Sequence, residues 1–242
     1  MSLPKIDIPT FTTKLLSTGQ KITYRPFLVK EEKILYMALE SNDASEMTRA
    51  MKQIINNCVQ TEIDIEELPL FDIEYLMIHL RARSVGESAE VIHRCQQPLD
   101  NEVCGNEINL NISLENISLN KPSPKEPPSV SITDQIGIQM RYPKTEILSA
   151  TLADDEDALQ NIWNAVELCI DFIYDEESVY HLDNYTEDEK LDFFESLTQE
   201  QFGQLREFFE DLPRLQYTES YKCQKCGYDG PLVIEGVDSF FV

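Results

Sequence analysis

Tyr221-Lys222-Cys223-Gln224-Lys225-Cys226-Gly227-Tyr228-Asp229-Gly230 is the stretch from which the fold of this chain is best interpreted. Two thiols separated by two residues are typical of a metal-binding turn, whose backbone N–H groups point at the sulfurs. Gly227 allows the left-handed backbone conformation that folds the chain back on itself. One such turn supplies two ligands, whereas a structural zinc takes four. The stretch therefore predicts a second pair of ligands elsewhere in the chain.

Two upstream cysteines, Cys95 and Cys104, provide that pair. A glycine follows Cys104 as it follows Cys226, and extended runs enter and leave both cysteine pairs. Two hairpins that each offer two cysteines make up a zinc ribbon. We therefore predict that Cys95, Cys104, Cys223 and Cys226 bind one structural zinc ion (Zn2+), which would tie together two segments that are 118 residues apart.

The same four cysteines are also compatible with a disulfide, with a set of unrelated buried thiols or with a redox-active pair. The redox pair is disfavoured because such pairs start a helix, whereas a polar turn and a short extended run follow Cys226. The eight residues after Cys95 must form a loop, and Pro98 and Asp100-Asn101 suit it. Cys58 and Cys169 lie within apolar helical patterns and are predicted to be core residues.

Composition and charge restrict the kind of partner. The 242 residues are 42% hydrophobic and carry a formal charge of −24. No stretch has the apolar length of a membrane span, and the first residues lack the pattern of a signal peptide, so we expect a cytoplasmic protein. The charge predicts no binding to nucleic acid or to membranes. It favours a solvated acidic surface over a face complementary to basic partners.

Apolar periodicity predicts an α+β chain that is mostly helical, with short antiparallel hairpins and a split four-cysteine element resembling a zinc ribbon. One helix is expected over Asp155 to Tyr174, and capping boxes at Thr186 and Thr198 predict two more. The apolar Val237–Val242 tail is expected either in the core or against a partner. The predicted regions are an N-terminal arm, hairpin and helical region (1–88), the two cysteine hairpins (89–119 and 216–242), a proline-rich linker (120–129) and a second, mainly helical region (130–215).

Catalysis is not expected. The three histidines, His79, His93 and His181, occur in three different contexts, and the chain has no nucleophile elbow, phosphate-binding glycine loop or zinc-protease motif. A four-cysteine zinc has no vacant position for water, so its role would be to fold the protein.

Four stretches besides the cysteine knuckle carry a family resemblance that covers nearly the whole chain. They are Tyr24-Arg25-Pro26-Phe27-Leu28-Val29-Lys30-Glu31-Glu32-Lys33-Ile34-Leu35, Leu68-Pro69-Leu70-Phe71-Asp72-Ile73-Glu74-Tyr75-Leu76, Arg81-Ala82-Arg83-Ser84-Val85-Gly86-Glu87 and Ser196-Leu197-Thr198-Gln199-Glu200-Gln201-Phe202. In these stretches the chain resembles the T4-type bacteriophage baseplate hub family, whose members are hub subunits or hub assembly proteins.

The resemblance implies a structural or assembly role in a contractile tail, through contacts with other baseplate or hub proteins. It implies a location in the host cytoplasm during assembly, with the tail baseplate of the virion as a second location. Members of the family carry cysteine pairs near both positions, and the eight-residue gap after Cys95 departs from their pattern, with His93 as the natural substitute ligand. The alternative function is that of a zinc-ribbon regulator that binds nucleic acid or a polymerase.

Overall fold

The computed structural model describes residues 6–41, 43–99, 102–123, 126–151 and 158–235. Within them, 37% of the residues are helical and 27% form strands in several small antiparallel sheets. The helices are α1 (Val29–Ser41), α2 (Ala44–Cys58), α3 (Leu70–Ser84), α4 (Glu146–Thr151), α5 (Ala158–Leu168), α6 (Glu187–Glu195) and α7 (Gln199–Glu210). The strands are β1 (Phe11–Lys14), β2 (Lys21–Tyr24), β3 (Ser88–Arg94), β4 (Pro98–Leu99), β5 (Glu102–Val103), β6 (Glu107–Ser113), β7 (Ser118–Leu119), β8 (Ser129–Ser131), β9 (Gly137–Met140), β10 (Ile170–Tyr174), β11 (Val179–Tyr180), β12 (Leu215–Lys222) and β13 (Asp229–Glu235).

The prediction of a mostly helical chain is therefore wrong, and the fold is a mixed α+β one. The helix predicted over Asp155 to Tyr174 shows the reason. Helix α5 ends at Leu168, and β10 then pairs with β9 and β11. A short apolar run such as Ile170–Tyr174 suits a buried helix and a buried strand equally well, so the neighbouring strands decide its conformation.

The N-terminal region packs a hairpin against three helices. Strands β1 and β2 pair in register from Phe11–Tyr24 to Lys14–Lys21. Their inward side chains join those of α1, α2 and α3 in one apolar core. Asp43 caps α2 by accepting a hydrogen bond from the Ser45 amide at 2.8 Å. This agrees with the hairpin and the three helices that the apolar pattern predicts for the region.

Helix α3 connects this core to the two cysteine hairpins. Leu76 and Leu80 face the N-terminal core, whereas Ile78 and Ala82 face the strands of both hairpins. Because α3 has two apolar faces, both hairpins rest on one rigid support. Strand β7 adds a second connection, since it leaves the first hairpin and pairs with β12 of the second, with Leu119 opposite Leu215.

The region after the proline-rich segment combines a sheet with helices. The sheet contains β11, β10, β9 and β8 in that order. The helices of this region are α4 to α7. Both capping boxes are present: the Thr186 hydroxyl accepts from the Glu189 amide, and the Thr198 hydroxyl accepts from the Gln201 amide. The aromatic side chains that begin and end these helices pack in the core of this region.

Some predictions fall outside the described residues. This group contains the loop residues Asp100-Asn101, the start of the predicted long helix and the apolar tail 237–242. None of the helices that the structure describes combines the length and the apolar character needed to cross a bilayer.

Candidate metal centre

The first cysteine hairpin is built from β3 and β6, which pair antiparallel from Ser88–Ser113 to Arg94–Glu107. Between them, β4 and β5 form a smaller inner hairpin. This inner hairpin accommodates the eight residues between the cysteines, because the Cys95 amide donates to Asn106 (2.9 Å) and the Cys104 amide to Gln97 (2.8 Å). Both cysteines therefore lie at the base of the inner hairpin.

The second hairpin pairs β12 with β13, from Gln216–Glu235 to Lys222–Asp229. Two backbone hydrogen bonds close its turn. The Cys223 amide donates to the Tyr228 carbonyl at 2.8 Å, and the Gly227 amide donates to the Cys223 carbonyl at 3.0 Å. Gly105 and Gly227 have φ angles of 63° and 76°. The left-handed conformation expected of the glycine after the second cysteine is confirmed in both hairpins.

The two turns bring all four cysteines together. The sulfurs of Cys95, Cys104, Cys223 and Cys226 lie within 4.8 Å of one another. Two of the pairs that cross between the hairpins, Cys95–Cys226 and Cys104–Cys223, have sulfur separations of 3.7 Å. A disulfide would need about 2.05 Å, and all four are free cysteines. Four sulfurs at about 2.3 Å from one zinc ion would lie about 3.8 Å apart, so the donor set fits a tetrahedral ion.

Backbone and side-chain donors surround the sulfurs. The amides of Cys226 and Lys225 donate to the Cys223 sulfur and lower the pKa of that thiol to about 6. The Tyr221 hydroxyl donates to the Cys95 sulfur at 3.6 Å. At Cys223 the two amides favour the thiolate form, which is the form that binds a metal.

Two of these neighbours were not predicted from the sequence. Lys225 lies between the cysteines of the knuckle, and its ammonium group donates to the Cys104 carbonyl across the hairpins at 2.7 Å. Tyr221 is recognisable only as an inward-facing residue of β12, because its distance from Cys95 depends on the packing of two distant hairpins. The local pattern that points to it is that Leu215, Tyr217 and Tyr221, which share one face of β12, are buried.

The family resemblance suggests His93 as a substitute ligand, but His93 is not a member of the four-residue cluster in the structure. Its ring packs edge-on against Tyr221 with centroids 4.8 Å apart, whereas Cys95 joins the other three sulfurs. His79 packs between Tyr75 and Tyr24, and His181 lies against Phe172. The three histidines therefore lie in three separate environments.

The two remaining cysteines are buried in other cores. Cys58 lies in the N-terminal core, and Cys169 lies in the core of the region that contains α5 to α7. Burial raises the pKa of Cys58 to about 11 and that of Cys169 to about 12. Both are protonated core residues at neutral pH. The predicted core position is confirmed for both, but Cys169 follows the end of α5 at Leu168 and is not part of a helix.

The two distant hairpins of this mixed α+β fold meet at four cysteines. A metal ion held by all four would have no open coordination position. On the hairpins, Arg94 pairs with Glu107 and Lys222 with Asp229. The family model for the T4 bacteriophage base plate protein matches residues 8–242, and the chain belongs to that family. The predicted relationship to T4-type baseplate proteins is confirmed at the level of this family. No curated protein and no solved structure matches the chain significantly.

Proposed function

We propose that the chain is a hub subunit or hub assembly factor of a contractile phage tail baseplate, and that it acts through contacts with other baseplate or hub proteins rather than through catalysis. Membership of the base plate protein family over residues 8–242 supports this proposal most directly. The family is one of tail components, and a baseplate is built by protein–protein contacts. The proposed location is the host cytoplasm during assembly and the tail of the virion afterwards.

Within that role, the proposed cofactor is one structural zinc ion held by Cys95, Cys104, Cys223 and Cys226. The sulfur separations of 3.7 Å across the hairpins carry this part of the proposal, since they match a tetrahedral thiolate set. Zinc would hold the two hairpins against α3 and so fix the surface that they present. Structural zinc contributes about 10 kcal/mol or more, which exceeds the stability of a typical domain.

The metal is tested on purified full-length protein by elemental analysis, together with thiol titration before and after chelation. We expect one zinc per chain and four thiols that become reactive only after chelation. Cys226→Ser should lower both the zinc content and the melting temperature, whereas Cys169→Ser should leave one zinc bound. Unchanged zinc content in Cys226→Ser would show that the four cysteines are not the ligand set.

The baseplate role is tested by co-expressing the chain with the hub and wedge proteins of the same phage and purifying the complexes. We expect at least one of these proteins to co-purify with the wild-type chain, and Cys226→Ser to lose that partner if the hairpins form the contact. A chain that binds zinc but co-purifies with no baseplate protein would overturn the hub role and leave the metal site standing.

A further inference from the structure

A groove of ≈ 370 Å³ opens beside the four-stranded sheet, between β10, β11 and α6. Its walls are mainly apolar and aromatic, and include Ile173, Tyr174, Tyr180, Leu182, Tyr185 and Phe193. Such a volume has room for about two apolar side chains of a peptide. The groove lies apart from the cysteine hairpins and has no role in the metal site.

The lip of the groove presents apolar groups to solvent. Tyr185 is 39% exposed, and Val179 and Leu191 nearby in the chain are 55% and 40% exposed. Aromatic side chains around an apolar cleft are characteristic of the energetically dominant residues of protein interfaces. The ring of Tyr174 packs against Gly137 and occupies the space that a larger side chain at residue 137 would need.

The charge around the groove is strongly negative. Residues 171–211 contain fourteen acidic and two basic residues, which accounts for half of the formal −24 of the chain. Asp175 and Glu189 line the groove itself. Lys190 also lines it, but its ammonium group pairs with Glu167 at 2.7 Å and with Glu187 at 2.9 Å. The lysine charge is thus compensated within the chain.

Both groove carboxylates are held ionised by their neighbours. The Tyr180 hydroxyl donates to Asp175 at 2.8 Å and, with the amides of Glu177 and Ser178, lowers the pKa of that carboxyl group. The Thr186 amide donates to Glu189 at 2.9 Å and lowers its pKa in the same way. A bound segment would therefore meet fixed negative charge at both positions.

From this combination we infer that the groove is a docking site for a basic segment of another protein, which inserts apolar side chains between Tyr180, Tyr185 and Phe193 while its lysines or arginines face Asp175 and Glu189. A second copy of the chain is a poor occupant, because each copy carries a formal −24 and would place like charges at the contact. The inference builds on the proposed protein-contact role, but it does not involve zinc or the cysteine hairpins.

Fluorescence anisotropy of the full-length protein tests the site with three labelled peptides. The first peptide alternates lysine with leucine and phenylalanine, the second carries glutamate in place of each lysine, and the third carries serine in place of each apolar residue. We expect the first to bind, the second not to bind, and the third to bind at least about tenfold more weakly than the first. Absence of binding by the first peptide, or equal binding of the first and third, would overturn the inference.

Variants locate the binding to the groove. Tyr185→Ala should weaken binding of the first peptide about tenfold, and Tyr36→Ala, which removes a tyrosine that is 61% exposed on α1, should leave it unchanged. Asp175→Asn with Glu189→Gln removes two charges yet keeps the turn acceptor and the capping box, since glutamine serves in the box at Thr198. This pair should weaken binding and reduce its salt dependence.

The matched charge control is Glu40→Gln with Glu90→Gln, at two exposed positions outside the groove. Equal weakening by both double variants, or wild-type binding by Tyr185→Ala, would show that the peptide follows the overall charge and would overturn the inference. Sedimentation of the unmixed protein checks the other occupant. A dimer that Tyr185→Ala abolishes would assign the groove to self-association instead.

Discussion

The N-terminal core and the cysteine cluster differ in the kind of side chains that they bury. In the described part of the chain, the N-terminal core collects twelve buried residues from β2, α2, α3 and the segments between elements, whereas the buried set around the cysteines consists of three cysteines and Tyr221. Burial of an aliphatic side chain contributes about 1.5–3 kcal/mol, so apolar burial is a main source of stability in the N-terminal core. The buried set around the cysteines has no aliphatic member, although a separate apolar cluster packs both hairpins against α3. If the proposed zinc is bound, it would therefore stabilise mainly the ends of the hairpins that carry the cysteines.

Cysteines occur in both regions, and their surroundings give them different roles. Cys58 is as buried as Cys95 and Cys223, but its neighbours are apolar side chains of the helices. Cys95 and Cys223 lie beside other sulfurs and receive hydrogen bonds from Tyr221 and from backbone amides. Burial alone therefore does not identify a ligand. The donors and sulfurs around the thiol do.

The largest expected effect is that of Cys104→Ser. Loss of one thiolate should release the zinc, at a cost of up to about 10 kcal/mol in the hairpins. Hydrogen exchange measures the outcome by region: amides of β3, β6, β12 and β13 should lose protection, while those of α2 keep it. If the α2 amides lost protection to the same extent, the two regions would form one cooperative unit and would not differ in what stabilises them.

Truncation of a side chain in the N-terminal core should have the opposite effect: the core should lose stability while the zinc content stays unchanged. Leu76→Ala removes a side chain that is 1% exposed in the N-terminal core and should lower the free energy of unfolding by about 2–5 kcal/mol. Zinc content by elemental analysis should stay at one per chain, because the ligands are untouched. Leu39→Ala on α1, where the side chain is 44% exposed, is the matched control and should have little effect. Zinc loss in Leu76→Ala would mean that α3 transmits the damage to the hairpins.

The pH dependence of stability provides a further test that concerns the N-terminal region alone. Glu31 is fully buried and pairs with Arg25 at 2.9 Å. Burial alone would raise the pKa of Glu31, but Arg25 and the Leu28 amide outweigh it and lower that pKa below the usual 4.5. A lowered pKa means that this carboxylate stabilises the fold above about pH 4.5, and that the contribution is lost as the pH falls through the folded-state pKa.

Glu31→Gln should therefore cost about 1–3 kcal/mol at neutral pH and progressively less below pH 4.5. Urea unfolding of both proteins across this range, followed by α2 exchange or helical circular dichroism, gives the difference. Because any acid release of zinc occurs in both proteins, it cancels in that difference. A cost for Glu31→Gln that does not depend on pH would show that the lost packing, and not the charge, stabilises this site.

Features set by neighbouring residues were predictable from the sequence, and those set by distant pairing were not. The glycine conformation after each second cysteine and the capping boxes at Thr186 and Thr198 depend on two to four adjacent residues. The grouping of four cysteines was predictable because a tetrahedral ion needs four ligands, even across 118 residues.

Three features depend on partners that lie far away in sequence. Ile170–Tyr174 becomes a strand because β9 and β11 flank it, and the apolar pattern alone suggested helix. The position of Tyr221 over Cys95 requires both hairpins to be docked on α3. The groove at Tyr185 forms only when β10, β11 and α6 are assembled, and the sequence shows just an acidic stretch that contains tyrosines.

The smallest expected effect is that of Cys58→Ala, the matched counterpart of the ligand variants. This thiol is 0% exposed and acts as a small apolar group, so its loss should cost only about 1 kcal/mol of unfolding free energy. Zinc content and hairpin exchange should equal those of the wild type, and five thiols should remain by titration in denaturant. If the hairpin amides lost as much protection in Cys58→Ala as in Cys104→Ser, the stability of the hairpins would come from the N-terminal core and not from the four thiols. Equal zinc content in both variants would contradict the ligand assignment as well.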